Sequence, residues 1–216
     1  MRYQAVIFDM DGTLLNTLED LRAALNYALE RCGYPTRSLR EVRAFVGNGI
    51  RRLIERGVPE GTDAAACDRV QAVFMPYYSA HCADRTRPYP GVTELLRRLR
   101  AAGVRTAVVS NKADAAVQAL VRQYFDGLFD AAVGERTGVR KKPAPDMTRA
   151  ALEALGCGPE QAVYVGDSEV DLETAQNAGL PPVLVSWGFR DSAFLWERGA
   201  EVIVDSAEAL WEELAR

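Results

Sequence analysis

Short apolar runs rich in β-branched residues recur along the chain and predict the strands of a sheet. Six runs stand out: AVIF (5–8), VRTAVVS (104–110), AAVG (131–134), AVYVGD (162–167), PVLVSW (182–187) and EVIV (201–204). Runs that are apolar throughout, without alternation, are typical of strands buried on both faces. Because helical patterns separate these runs, the sequence predicts an α/β fold with a Rossmann-like parallel sheet.

Helical periodicity fills the segments between the predicted strands. VTELLRRLRAAG (92–103) and LETAQNAG (172–179) each end on a glycine, which is a common stop signal for a helix. SAEALWEELAR closes the chain, and Ser206 is the predicted N-cap of that last helix. These segments predict the helices that cover the sheet.

The segment 15–87 interrupts this alternation with helical patterns and no run that predicts a strand. PYPGV (88–92) then marks the return to the sheet, because proline and glycine punctuate local structure. A chain of 216 residues is long for one domain and short for two full ones. We therefore predict an α/β core domain formed by residues 1–14 and 88–216, with an α-helical domain inserted at 15–87.

Composition and charge narrow the class of protein. A net charge of −4 argues against a nucleic-acid-binding surface, which shows as a basic excess. No apolar run approaches the ~20 residues of a membrane span, and the N-terminus lacks a signal-peptide pattern. Four cysteines without CxxC spacing and a single histidine argue for free thiols and against zinc. We expect a cytoplasmic protein, monomer or homodimer, that binds neither nucleic acid nor membrane.

Acidic residues stand at the end of the first predicted strand, in FDMDGT (8–13). Positions two apart in a strand share a face, so Asp9 and Asp11 are predicted to point the same way. Two carboxylates that close raise the cost of ionising each other. A cation between them, or a proton on one of them, is therefore expected.

Other polar residues stand at the ends of later predicted strands. Ser110 and Asn111 end the second, Lys142 lies in the loop after the third, and Asp167 and Asp171 follow the fourth. Each group alone is also compatible with a turn, a helix cap or an exposed basic loop. Ligands of open parallel sheets collect at the carboxyl ends of the strands, so the groups together predict one shared site.

Four motifs resemble a known family. FDMDGT, VVSN, KKPAPD and YVGDSEVD resemble, in order, the four signature motifs of the haloacid dehalogenase superfamily, and the helical insert resembles its cap of the first class. The resemblance covers nearly the whole chain. Within the superfamily the chain most resembles phosphoglycolate phosphatases, partly through FVGNGIRRLIERG (45–57).

The resemblance implies a phosphatase mechanism for the acidic residues. Asp9 is expected to be the nucleophile that forms an aspartyl-phosphate, and Asp11 the general acid and base. Mg²⁺ is the implied cofactor, held by the carboxylates of Asp9 and Asp167 and by the backbone carbonyl of Asp11. The second aspartate of the first motif argues against carbon–halogen chemistry, which needs no such acid.

The remaining motif residues are expected to bind phosphate or to support the site. Ser110, Asn111 and Lys142 are the implied donors to the phosphoryl group. Thr13 and Asp171 are expected to support the residues that contact metal or phosphate, without contacting the substrate themselves. Asp171 either orients Lys142 or contacts a metal-bound water, and the sequence leaves both roles open.

The substrate is expected to be a small phosphorylated metabolite, with 2-phosphoglycolate favoured. Gly47, Asn48 and Gly49 of the helical insert precede a helix, whose N-terminal amides suit a substrate carboxylate. The alternative is that these residues only form a turn. Other substrates of the same fold stay open (sugar phosphates, nucleotides, pyrophosphate), as does a β-phosphoglucomutase-like phosphomutase. A phospho-signalling receiver, from a different class, is disfavoured because receivers lack a helical insert.

Overall fold

The computed structural model describes residues 1–216, which form two compact units. One unit comprises Met1–Leu15 together with Pro88–Arg216, and the other comprises Asn16–Arg87. The first contains the sheet and the second is helical. No helix in the chain combines the length and the apolar character that crossing a bilayer requires.

Eight strands are present, and six of them form one sheet. In chain order they are β1 (Ala5–Phe8), β2 (Leu15–Asn16), β3 (Arg87–Pro88), β4 (Arg105–Ala113), β5 (Ala131–Glu135), β6 (Ala162–Gly166), β7 (Pro182–Val185) and β8 (Ile203–Val204). The main sheet has the order β5-β4-β1-β6-β7-β8, and all five pairs of neighbouring strands are parallel. The predicted α/β fold is confirmed. β2 and β3, the short strands at the two junctions of the units, pair with each other, and Leu15 of β2 also forms an isolated parallel bridge with Asp11.

Ten α-helices and one 3₁₀-helix, Pro159–Gln161, accompany the strands. In chain order the α-helices are α1 (Leu18–Arg31), α2 (Leu39–Phe45), α3 (Ile50–Gly57), α4 (Ala64–His81), α5 (Val92–Ala101), α6 (Asp114–Phe125), α7 (Asp146–Leu155), α8 (Glu169–Ala178), α9 (Ser192–Glu197) and α10 (Ala207–Ala215). The first four belong to the helical unit and the other six to the α/β unit.

The centre of the sheet is its most buried part. β1 lies between β4 and β6, and Phe8 is in register with Val108 on one side and Val165 on the other. All four residues of β1 are inaccessible or nearly so, as expected for a strand covered on both faces. The residues that follow β1, β4 and β6 therefore leave the sheet side by side.

β4 is longer than its sequence pattern predicts. It continues through Asn111 and Lys112 to Ala113, although the apolar run ends at residue 109. Its register with β5 is irregular between Val109 and Ala113. Ser110 and Asn111 were predicted to end this strand, and they lie within it, at this irregularity and close to its end.

α8 begins at Glu169, three residues before the predicted start. The side chain of Asp171 explains the earlier start, because its Oδ2 accepts from the backbone N–H of Ser168 at 3.1 Å and from the Ser168 hydroxyl at 2.6 Å. These contacts satisfy donors that a helix N-terminus leaves without a partner. At the other end of the chain Ser206 caps α10 as predicted, accepting from the N–H of Ala209 at 3.2 Å.

The helical unit contains a buried aspartate, Asp20, that links its two ends. Asp20, in the first turn of α1, accepts hydrogen bonds from the backbone N–H groups of Arg85 and Thr86 and from the Thr86 hydroxyl, at 2.8 to 3.0 Å. The carboxylate is 3 % exposed, so these donors compensate a buried charge. Asp20 therefore fixes the last residues of the unit to its first helix.

Candidate active site

The carboxyl ends of the central strands bring most of the predicted polar residues together. Asp9 follows β1, Ser110 lies near the end of β4, and Asp167 follows β6. All three are buried, with 6 %, 2 % and 1 % exposure. A cluster of buried polar groups at this edge is the arrangement that the sheet topology predicts for a ligand site.

Lys142 is the cation at the centre of this cluster. Its Nζ lies 2.6 Å from Oδ1 of Asp9 and 2.8 Å from Oδ1 of Asp171. Burial opposes the ammonium charge, but the carboxylates of Asp171 and Asp9 outweigh it and raise the pKa of Lys142 well above its ordinary value. The lysine is therefore a permanent positive charge inside the site.

Asn111 holds the backbone of Lys142. Its Oδ1 accepts from the Lys142 N–H at 2.8 Å, and its Nδ2 donates to the Lys142 carbonyl at 3.1 Å. The two bonds tie the loop after β5 to β4. This geometry makes Asn111 a residue that positions Lys142, while a direct contact with phosphate stays a prediction.

Asp171 accepts donors on both of its oxygens. Oδ2 accepts from Ser168 and from the Asp167 N–H at 3.2 Å, and Oδ1 accepts from Lys142 and from the hydroxyl of buried Tyr164 at 3.4 Å. A carboxylate with this many donors is fixed in one orientation. Of the two roles that the sequence leaves open, the geometry favours orienting Lys142.

Asp167 is held by two donors from distant parts of the chain. The Thr13 hydroxyl donates to Oδ1 at 3.3 Å, and the backbone N–H of Phe189 donates to Oδ2 at 2.6 Å. Gly12 passes directly against the carboxylate, since a Cβ at that position would lie 2.4 Å from Oδ2. Its φ of +96° also favours glycine, so two independent constraints select glycine here.

Asp11 lies beside a different lysine. Its Oδ1 is 3.0 Å from Nζ of Lys112, within ion-pair distance although not aligned as a hydrogen bond, and its Oδ2 accepts from the Ser110 hydroxyl at 3.5 Å. β1 ends at Phe8, so the strand argument for placing Asp9 and Asp11 on one face does not apply. Each of the two aspartates instead lies beside its own lysine, Asp9 beside Lys142 and Asp11 beside Lys112.

Three aspartates form an acidic group that can hold a cation. Asp9, Asp167 and Asp171 each offer an oxygen, and these oxygens lie within 4.8 Å of one another. Burial raises the pKa of Asp9 to about 7, against the attraction of Lys142, and raises that of Asp167 well above its ordinary value. The single ammonium of Lys142 therefore does not balance the charge of the three buried carboxylates. A set of oxygen ligands with excess negative charge suits a hard divalent cation.

The segment Gly47–Gly49 of the helical unit forms the connection between α2 and α3. Gly49 is the N-cap residue of α3, and Asn48 uses its Oδ1 to accept from Nη2 of Arg56 at 2.8 Å. Arg56 also donates to the carbonyl of Phe45 at 2.7 Å, so the two side chains hold the turn. A role of this segment in substrate binding stays a prediction.

The sequence analysis missed Lys112, Tyr164, Trp187 and Phe189. Lys112 follows directly on VVSN, so a strand extended by two residues would have included it. Trp187 and Phe189 act through contacts distant in sequence: the indole Nε1 of Trp187 donates to the Thr13 carbonyl at 3.0 Å across 174 positions. Only the WGF sequence after an apolar run, at a further carboxyl end of the sheet, signals this contact.

Known proteins resemble the chain over most of its length. A phosphoglycolate phosphatase from Cereibacter sphaeroides is 39% identical over 189 residues, covering 86% of each chain. One from Mesorhizobium japonicum is 34% identical and covers 97% of this chain and 94% of its own. A crystal structure from Lactobacillus delbrueckii subsp. bulgaricus, provisionally named phosphoglycolate phosphatase, matches with a TM-score of 0.96 at 43% identity over 99% of both chains.

A further similar structure was solved with a ligand bound. It is an Asp-to-Asn variant of CbbY from Rhodobacter sphaeroides in complex with xylulose-1,5-bisphosphate, with a TM-score of 0.70, 27% identity and 95% coverage of both chains. The family model of haloacid dehalogenase-like hydrolases matches residues 6–185, which include all four motifs. The family that the motifs suggested is thus confirmed, and the chain belongs to the haloacid dehalogenase-like hydrolases.

Proposed function

We propose that this protein is a Mg²⁺-dependent phosphomonoester hydrolase that uses Asp9 as its nucleophile. The observation that carries the proposal is the buried group of Asp9, Asp167 and Asp171 around Lys142 at the carboxyl edge of the sheet. A site with three carboxylates and one ammonium suits a ligand that supplies a cation and an anion together. A magnesium ion with a phosphate monoester meets that description.

The residues present fit a magnesium ion. The carboxylates of Asp9 and Asp167 and the backbone carbonyl of Asp11 would hold it, leaving Asp171 with its donors. When bound, Mg²⁺ would supply positive charge that stabilises the phosphoryl oxygens in the transition state. The raised pKa values of Asp9 and Asp167 support this assignment, because a cation would restore the ionised form of both groups.

In the first step a carboxylate oxygen of Asp9 attacks phosphorus. The new O–P bond forms as the ester P–O bond breaks, and the electron pair of that bond goes to the leaving oxygen. Asp11 enters this step as a carboxylic acid and gives its proton to that oxygen. In the second step Asp11 removes a proton from water as the water attacks the aspartyl-phosphate. Inorganic phosphate leaves and the Asp9 carboxylate is restored.

Lys142 and Ser110 would stabilise the transferring phosphoryl group. Lys142 is fixed from two sides, by Asp171 at its ammonium and by Asn111 at its backbone. Donors fixed before the reaction lower the barrier without reorganising during it. Asp171 and Asn111 therefore contribute indirectly, by holding Lys142 where the phosphate oxygens would lie.

We propose 2-phosphoglycolate as the substrate and the helical unit as the cap that selects it. The relatives from C. sphaeroides and M. japonicum named phosphoglycolate phosphatase support this choice. The likeness to CbbY with its bound bisphosphate makes a sugar bisphosphate the second candidate. Both are small metabolites, and they differ in whether a carboxylate or a second phosphate accompanies the reacting group.

The test is phosphate release from a panel of phosphorylated metabolites, with and without Mg²⁺, ranked by kcat/KM. The panel includes 2-phosphoglycolate, xylulose-1,5-bisphosphate, a nucleotide and pyrophosphate. We expect 2-phosphoglycolate to rank first and chelation of Mg²⁺ to abolish turnover. If another substrate ranks first, the assignment of 2-phosphoglycolate is wrong and the proposed reaction class stands. If Asp9→Asn keeps full activity, the proposed mechanism is wrong.

A further inference from the structure

The segment after β7, residues 186–190, connects two parts of the site that lie far apart in sequence. The indole Nε1 of Trp187 donates to the Thr13 carbonyl at 3.0 Å, and the N–H of Phe189 donates to Oδ2 of Asp167 at 2.6 Å. The Thr13 hydroxyl closes the ring by donating to Oδ1 of Asp167 at 3.3 Å. Three hydrogen bonds thus join the loop after β1, the end of β6 and the segment after β7.

Gly188 allows this segment to approach the carboxylate. A Cβ at Gly188 would lie 2.4 Å from Oδ2 of Asp167 and 2.5 Å from the carbonyl oxygen of Gly12. Real side chains do not occupy such distances, so only glycine lets the backbone pass here. The close approach is what brings the Phe189 N–H within hydrogen-bonding distance of Asp167.

The far end of the segment is also fixed. Arg190 donates from Nε and Nη2 to the two oxygens of Glu169, at 2.8 and 3.2 Å, and both side chains are largely buried. Glu169 is the first residue of α8, two positions after Asp167. A bidentate pair of this kind has a defined geometry, so the segment is anchored to the same turn that carries Asp167.

We propose that Trp187 is a positioning residue for the metal site, acting through Thr13 and Asp167. The inference rests on the proposed function, in which Asp167 is a magnesium ligand. Its two oxygens each accept one donor, which fixes the plane of the carboxylate and leaves lone pairs for a cation. Trp187 holds the Thr13 end of this ring, so loss of its N–H removes one of the bonds that hold the loop after β1 and allows the carboxylate of Asp167 to rotate. Partners behind a metal ligand orient it in this way.

Trp187→Phe tests the proposal because it removes the N–H and keeps an aromatic ring. Calorimetric titration with MgCl₂ alone compares it with the wild-type protein, with Asp167→Asn and with the matched control Trp196→Phe. Trp196 is 51% exposed on α9. We expect Trp187→Phe to weaken Mg²⁺ binding about tenfold, the lower end of the range for such partners, and Trp196→Phe to match the wild type.

A second readout separates positioning from a general structural role. If Trp187 orients a metal ligand, excess Mg²⁺ restores the kcat of Trp187→Phe, and KM measured at saturating Mg²⁺ stays at the wild-type value. Unchanged Mg²⁺ affinity in Trp187→Phe overturns the proposal while leaving the proposed function intact. Unchanged affinity in Asp167→Asn overturns the metal assignment itself, and the role of Trp187 with it.

A fluorescence measurement keeps the proposal testable if Trp187→Phe does not fold. The chain has three tryptophans, so Trp196→Phe combined with Trp211→Phe leaves Trp187 as the single tryptophan, which can be excited selectively over tyrosine. Its indole is bonded to the loop that carries the proposed ligands, and we expect Mg²⁺ to shift its emission with the affinity found by calorimetry. Emission that does not respond to Mg²⁺ overturns the proposal.

Discussion

Nζ of Lys112 lies 3.0 Å from Oδ1 of Asp11, the proposed general acid and base. The lysine side chain is 7% exposed and the aspartate side chain 23%, so the pair is shielded from solvent only in part. The backbone N–H of Lys112 also donates to the Ser110 hydroxyl at 3.2 Å, and that hydroxyl donates to Asp11 at 3.5 Å. Lys112 and Ser110 together therefore set the orientation of the Asp11 carboxylate.

Lys112→Met removes an ammonium group that helps to orient Asp11. We therefore expect turnover to slow most for substrates whose leaving oxygen needs a proton. For 2-phosphoglycolate, with a poor leaving group, we expect kcat to fall about tenfold, a part of what general acid catalysis contributes. For p-nitrophenyl phosphate, whose leaving group needs no proton, we expect little change. Steady-state kinetics with both substrates measures the difference.

Lys141→Met is the matched control for that experiment. Lys141 is 46% exposed and lies 3.8 Å from the equally exposed Glu135, an ion pair of a kind that contributes little. We expect wild-type kinetics with both substrates. An equal loss for both substrates in Lys112→Met would show that the lysine acts on the phosphoryl group or on folding, and not on Asp11.

Asp9→Asn and Asp11→Asn are expected to separate the two chemical steps. An amide at position 9 is a poor nucleophile, so Asp9→Asn should lose turnover and form no covalent phosphoenzyme while staying folded. Asp11→Asn lacks the base for the second step and should accumulate aspartyl-phosphate. Acid quenching after incubation with ³²P-labelled acetyl phosphate measures both outcomes, and a label on Asp9→Asn would contradict the assignment.

The sequence predicts the sheet and the residues at its edge well, because both depend on local patterns. Buried parallel strands are continuous apolar runs, and because parallel strands end at the same edge of a sheet, Asp9, Ser110 and Asp167 are predicted to share that edge. That β1 lies between β4 and β6, so that the three residues are neighbours, is known only from the structure. The sequence predicts the end of a strand less well where the strand continues through polar residues. Asn111 and Lys112 belong to β4 although the apolar run stops before them, and their partners explain why.

Contacts between distant segments are the part that the sequence does not predict. Apart from the position of WGF after an apolar run, no local pattern indicates that the N–H of Trp187 reaches Thr13, or that Phe189 donates a backbone hydrogen to Asp167. Backbone donors have no residue type and so leave no trace in a motif. The same holds for Asp171, whose role depends on which of several donors lies within reach of its oxygens.

The stability of the metal-free protein is expected to fall as pH rises. Burial raises the pKa of Asp9 from 3.8 to about 7. The folded state therefore binds this proton more tightly than the unfolded state, so stability is greatest below the ordinary pKa and is lost progressively up to the raised one. We expect Tm to decrease between about pH 4 and pH 7, less steeply in Asp9→Asn.

Added Mg²⁺ should reverse this dependence, since it binds the ionised carboxylates and the folded state only. The increase in Tm on adding Mg²⁺ is thus expected to be larger at pH 8 than at pH 5. The difference should be about as large as the fall in Tm of the metal-free protein between the two pH values. Differential scanning fluorimetry over this range measures both effects. Equal pH slopes for the wild type and Asp9→Asn would contradict the assignment of the raised pKa to Asp9.

Variants of Asn48 and Arg56 can show whether the segment Gly47–Gly49 binds substrate or only forms a turn. Their side chains are bonded to each other, so both Asn48→Ala and Arg56→Met remove the same contact. If Asn48 also binds the substrate carboxylate, only Asn48→Ala should raise KM for 2-phosphoglycolate, by about tenfold or ~1.4 kcal/mol. If the two residues form only the turn, both variants should lower Tm and leave KM unchanged.

Gly12 offers a test of how tightly the loop after β1 packs on Asp167. Gly12→Ala places a Cβ where Oδ2 of Asp167 lies 2.4 Å away, and the φ of +96° adds backbone strain. Gly138→Ala is the matched control, because its φ of +83° carries similar strain and no atom lies within 4 Å of the added Cβ. We expect Gly12→Ala alone to weaken Mg²⁺ binding and lower kcat/KM, about tenfold or more, by displacing a ligand.

Both variants should lose stability through strain, about 1 kcal/mol each, so the comparison isolates the steric effect on the site. Calorimetric Mg²⁺ titration and thermal unfolding of the pair measure the two contributions separately. If Gly12→Ala and Gly138→Ala lose the same stability and both keep Mg²⁺ affinity, Asp167 can move aside at no cost. The ring of contacts around Asp167 would then be too loose to position a metal ligand.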